Sequence, residues 1–134
     1  MNHRTPTSEL SHQRVRYMCE LILDWCVSKY GVKKNKGVPF LKVTTTDRQT
    51  FGEYDDFDHE IFIYYNNCRN VQWIIKTMIH EYTHSIQKGM RSYERLSREN
   101  GYWENPLEIE ARSMEKEWNL CYGDVIKPYL IGVG

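Results

Sequence analysis

Apolar and polar positions along the chain follow two periods, and each period predicts its own kind of element. Between residues 71 and 88 the spacing is helical. At about 100° per residue, Val71, Ile74, Ile75, Met78, Ile79, Tyr82 and Ile86 fall on one side, and Trp73, Thr77, His80 and His84 on the other. Asn70 is placed to cap its start and Gly89 to close it, so a helix with a packed back and a chemically distinct front is expected. An earlier helical stretch begins from Ser8 as N-cap, repeats Val15, Met18, Ile22, Trp25 and Cys26, and stops at Tyr30 before Gly31. Between the two helices the period shortens. Residues 38–44, 49–54 and 60–65 are rich in β-branched and aromatic side chains and are parted by Asp47 and by Asp55, Asp56 and Asp58. They predict three strands, with Pro39 marking an edge or a strand start. In the last, Ile61, Ile63 and Tyr65 should pack while Phe62 and Tyr64 face the other way.

Residues 90–104 are polar without a clean period and read as a loop with about one helical turn. Asn105 and Pro106 then open a third helix, as N-cap and first-turn proline, expected to run to Tyr122 before Gly123. Its stripe is Leu107, Ala111, Met114, Trp118 and Cys121, and the tail beyond Gly123 is apolar enough to pack back. Residues 1–7 are polar and expected to be disordered. The prediction is one α+β domain over residues 1–134: an N-terminal helix, a small, mostly antiparallel three-stranded sheet, the two-faced helix and a C-terminal helix.

Composition narrows the function. With 18 basic and 18 acidic residues the formal charge is zero, so no net field draws nucleic acid or an anionic membrane. No apolar run approaches the roughly 20 residues of a membrane span, and residues 1–10 lack a signal peptide's apolar centre. A cytoplasmic protein without membrane contact is expected. The four cysteines contain no C-x-x-C, and Cys19 and Cys26, seven apart, share one side of a helix as core residues. The basic run at residues 32–37 reads as a solvated loop rather than a phosphate site. The acidic turn at residues 55–58 lacks the glycine and distant glutamate of a calcium loop and reads as turn chemistry.

The chemistry sits on the front of the two-faced helix. His80, Glu81 and His84 form H-E-x-x-H, whose two imidazoles lie one turn apart on one face and suit a single Zn²⁺, with Glu81 beside the ion. Two histidines on an otherwise apolar helix need partners if buried, and a metal is the partner this spacing suits best. A catalytic zinc takes a third protein ligand, for which the third helix offers Glu108 and Glu110 in N-P-L-E-I-E-A-R. Helical geometry leaves both open, since they flank the apolar stripe on opposite sides. Glu108 has a competing use as the third position of a capping box with Asn105.

H-E-x-x-H followed on the next helix by E-x-x-A resembles the gluzincin branch of the zincin metallopeptidases. Over about residues 60–114, with a tyrosine ahead of N-P-x-E, the chain is also similar to small phage- and virus-encoded metallopeptidases. The resemblance implies that Glu108 is the third ligand and that Ala111 lets the two helices approach. It departs from the family at Arg112, where several gluzincins keep an acidic residue; Arg112 is expected to pair with Glu108 instead. The third histidine of metzincins is absent. The implied function is a zinc-dependent metallopeptidase, with one Zn²⁺ on His80, His84 and Glu108. Glu81 is the general base for metal-activated water, and Tyr102 or Tyr93 the donor to the oxyanion. Its substrate would be a peptide or protein extended along an edge strand within residues 59–65, and the chain would be a monomer. Two other readings compete. One is a non-catalytic metal-bound domain that contacts protein or nucleic acid through the aromatic and basic surface from Tyr93 to Trp103. The other is a nuclease or different hydrolase using the same metal.

Overall fold

Ser11, rather than Ser8, caps the first helix: its hydroxyl accepts from the Arg14 N–H at 3.1 Å, and α1 runs His12–Tyr30 in the computed structural model, which describes residues 1–133. Thr7–Glu9 forms a short 3₁₀ turn before it. Gly31 ends the helix at φ +78°, a conformation that glycine adopts without strain. Residues 1–7, expected to be disordered, are tied to the start of the helix that begins at Val71. Thr7 is buried, Pro6 bridges Asn70, and the carbonyls of His3 and Thr5 accept from Gln72 and Val71.

The sheet consists of β1 (Phe40–Thr44), β2 (Gly52–Asp55) and β3 (Glu60–Tyr64) in the order β1-β3-β2. The final strand inserts between the first two. It pairs parallel with β1, Leu41 opposite Ile61, and antiparallel with β2, Tyr54 opposite Ile61. The expected mostly antiparallel sheet is therefore half parallel. The reason lies in burial: Ile61 and Ile63 are fully enclosed, and the most apolar strand takes the position covered on both edges. The expectation of an edge strand within residues 59–65 is also corrected, because residues 60–64 are central and the free edges belong to β1 and β2.

The first helix, β2, β3 and the first part of the C-terminal helical path pack on α2 (Val71–Ile86), capped by Asn70 Oδ1, which accepts from the Trp73 N–H at 3.1 Å. Its apolar back meets α1 through Val15, Met18, Ile22, Ile75 and Ile79, all without exposure. The helix ends at Gln87, ahead of the predicted Gly89. The four cysteines are buried thiols, and that burial pushes each of them up from the ordinary range.

The polar stretch after α2 contains more helix than its pattern suggested. Met90–Ser92 is a 3₁₀ turn and α3 spans Tyr93–Asn100, with Arg95 and Glu99 one turn apart at 3.3 Å. Asn105 then caps α4 (Pro106–Met114). The helical path passes through a 3₁₀ turn at Glu115–Glu117 into α5 (Trp118–Cys121), a π turn at Tyr122–Ile126 and α6 (Lys127–Val133). Gly123 does not stop it. Pro128 lacks the N–H that a regular turn would direct at the Asp124 carbonyl, and the wider π turn accommodates that loss. Ile126 and Leu130 from this tail close the core over α1. The architecture is α+β, and among the described residues no helix is long and apolar enough to cross a membrane.

Candidate metal centre

The helical spacing of His80 and His84 on α2 brings their rings to 5.0 Å between centroids, at 76° to each other. Glu108, in the first turn of α4 and only 3% exposed, faces both. Its Oε1 lies 2.8 Å from His80 Nε2 and its Oε2 3.2 Å from His84 Nε2. One donor atom from each residue falls within 4.8 Å of the others. A tetrahedral zinc with bonds of about 2.0–2.1 Å needs donors about 3.3 Å apart, so this set fits such an ion.

The outward nitrogens confirm the orientation. His80 Nδ1 is 2.7 Å from Glu115 Oε2, and His84 Nδ1 is 2.7 Å from Gln87 Oε1. The Gln87 amide is oriented by its own donors, since Nε2 donates to the Leu107 carbonyl at 2.9 Å and to Glu110 Oε1 at 2.8 Å. His84 Nδ1 must therefore be the donor to Gln87, which in the neutral ring leaves the Nε2 lone pair directed at the centre.

Of the two carboxylates the sequence left open, only Glu108 joins the histidines. Glu110 is exposed and accepts from Gln87, so it braces the centre from outside. The capping box does not form: Asn105 Oδ1 accepts from the Leu107 N–H at 2.9 Å, while the Asn105 N–H goes to the Tyr102 carbonyl at 3.3 Å. Arg112 does not pair with Glu108. Its guanidinium lies 4.7 Å from the Trp103 ring centroid and donates to the Trp103 carbonyl, so stacking draws it away from the carboxylate.

Tyr93 donates to Glu108 Oε2, and its ring stands edge-on to His84 at 5.9 Å. Tyr102, 53% exposed, borders the cleft near Glu108. Glu81 is 8% exposed beside His80, and β2 presses against it because of Gly52. A Cβ on Gly52 would come within 2.8 Å of the Phe62 carbonyl oxygen, 2.9 Å of Thr77 Cγ2 and 3.2 Å of Glu81 Cγ. Only a residue without a side chain lets the edge strand approach the acid this closely.

Electrostatics follow from enclosure and proximity. Burial pushes the Glu81 carboxyl up to about 7. For His80, burial opposes the charged form, but the bonds to Glu108 and Glu115 outweigh it and raise the ring to about 10. His84 is raised against the same burial by Glu108. Burial would raise Glu108, yet the bonds from His80, His84 and Tyr93 hold it well below the usual carboxylate range. Opposite charges thus gather the three side chains at one point.

Before them opens a cleft of about 610 Å³, walled by the β2 segment from Thr50 to Asp56 on one side and by Tyr93 and Glu94 of α3 on the other. Glu115 and Gln87 were not singled out from the sequence. The available signal was spacing: Glu115 lies seven residues after Glu108, two turns along one helix face, and Gln87 three after His84. Comparison of the chain with protein-family models, with curated proteins and with solved structures returns no match, so the functional reading rests on these residues and their geometry.

Proposed function

We propose that this chain is a zinc-dependent peptidase of minimal zincin type, resembling the gluzincins in its H-E-x-x-H helix and E-x-x-A third-ligand helix. The observation that carries the reading is the convergence of two histidines and one carboxylate within 4.8 Å, beside a buried glutamate at the floor of an open cleft. His80, His84 and Glu108 would hold the ion, a donor set that catalytic zinc uses with one position left open. When bound, zinc supplies Lewis acidity that acidifies water and polarises a carbonyl.

The chain's own residues do the rest. Glu81, buried beside His80 at the floor of the cleft, would take a proton from the attacking water and return it to the leaving amide nitrogen. Tyr93 is committed to Glu108 and positions that ligand. Tyr102, at the border of the cleft, would donate to the oxygen on which negative charge develops. An extended peptide would lie along the free edge of β2, its backbone groups paired with those of the strand.

The test is Glu81→Gln, compared with Glu108→Ala. Elemental analysis should find one zinc per chain in the wild type and in Glu81→Gln, and loss of zinc in Glu108→Ala. Peptide turnover in Glu81→Gln should fall by about 10²–10⁴-fold. A wild-type chain that binds no zinc, or undiminished turnover in Glu81→Gln, overturns the proposal.

A further inference from the structure

Next to Glu81 lies a second and smaller cavity of about 360 Å³, which shares His80, Glu81 and Tyr102 with the cleft before the metal centre. Four aromatic side chains line it among polar ones: Phe51 on the approach to β2, Trp73 on α2, and Tyr102 and Trp103 ahead of α4. Phe51 and Trp73 pack with ring centroids 5.6 Å apart at 52°, and Tyr102 and Trp103 edge-on at 5.9 Å. The cavity also touches His80 and Glu81, so a group seated there lies beside the reacting atoms of the proposed reaction.

Charge sharpens what the cavity would accept. Lys76 Nζ stands 4.8 Å from the Trp73 centroid and the Arg112 guanidinium 4.7 Å from that of Trp103, so both tryptophans already carry a cation. The carboxylate at this end, Glu115, is engaged by His80 at 2.7 Å. A lysine or arginine entering would shed its water among aromatic rings beside the Arg112 guanidinium, with Glu81 the acid left within the lining. A flat apolar ring would find faces to stack on and would lose little by leaving water.

We propose that this cavity is the specificity subsite of the enzyme, and that it takes an aromatic side chain of the peptide, from the residue adjoining the bond to be cleaved. The inference rests on the peptidase reading above and names its substrate class. Phe51, 45% exposed, and Trp103, 67% exposed, are the residues whose removal tests it without emptying the core.

The experiment uses zinc-loaded protein and a matched set of internally quenched peptides that differ only in carrying Phe, Ala or Lys at each position across the cleaved bond. Binding of the same peptides to the Glu81→Gln protein is measured by fluorescence anisotropy, which reads the subsite without turnover. Phe peptides are expected to exceed Ala and Lys peptides in kcat/KM and in affinity by about tenfold or more. Phe51→Ala and Trp103→Ala should each erase most of that preference, whereas Phe57→Ala, at a fully exposed turn position, should keep it. Cleavage with equal preference for the three overturns the subsite and leaves the peptidase intact. Absence of cleavage together with selective binding of Phe peptides overturns the peptidase and keeps the subsite. Binding without selectivity removes the subsite in either case.

Discussion

His80 and His84 each direct one ring nitrogen inward and give the other to a partner, Glu115 and Gln87, at 2.7 Å. Such outer partners set the tautomer and the angle of a ligating ring, and their loss typically weakens metal binding by about 10–100-fold. Glu115→Ala should accordingly lower zinc affinity within that range, read by competition with a chelating dye, while the far-ultraviolet circular dichroism stays unchanged. Unaltered affinity would show that His80 is oriented by packing alone. At this scale the sequence was informative where chemistry is local. His80, Glu81 and His84 were legible because a helix places residues four apart on one face whatever surrounds it. Glu115 and Gln87 were not, since a glutamate on a polar helix face and a glutamine at a helix end look the same whether or not a ring approaches them. Arg112 shows the limit from the other side: its spacing from Glu108 suited a pair, but the nearby Trp103 ring captured it.

At the level of elements, each helix and strand of the first two thirds of the chain stands where its pattern put it, within a few residues, because burial of one face imposes a period. The order of the strands was not legible. Insertion of β3 between β1 and β2 depends on which pairing encloses Ile61 and Ile63, and that is a comparison between whole arrangements. Gly52 is the residue on which the arrangement turns. Gly52→Ala places a methyl group 2.8 Å from a backbone oxygen, which can give way only by moving the strand. We expect a loss of about 1–3 kcal/mol in stability, measured as a lower urea midpoint with an unchanged slope. The loop of residues 32–37 also proved more than a solvated charge run. Lys33 donates to the Gln87 carbonyl at the end of α2, and Lys36 to Asp56 at the end of β2, both at 2.8 Å to a backbone oxygen. Likewise α3 was hidden because it buries no residue and so leaves no apolar period to read.

For the molecule as a whole, the centre joins α2 to α4 across 28 residues of sequence, so an ion there would hold two layers of the fold together. Zinc at a hundredfold excess over its dissociation constant should raise stability by about 2.7 kcal/mol, seen as a higher Tm that a chelator reverses. At a fixed zinc concentration the increment should grow between pH 6 and 8. In the metal-free protein the paired His80 holds its proton up to about 10, above the ordinary value of 6.5. Its proton-linked stability is therefore complete below 6.5 and declines as pH rises toward 10, while competition with the ion weakens over the same interval. A zinc-induced rise in Tm that is independent of pH would remove His80 from the site. What the sequence by itself determined was the local part: the helices, the strands, and the two imidazoles with an acid beside them, all of which follow from backbone periods that act over a few residues. Tertiary structure alone decided which carboxylate completes the set, which strand edge is free and which groups brace the rings. Those choices belong to side chains far apart in sequence, brought together by the one packing that encloses the apolar faces of α1, α2 and β3 at once.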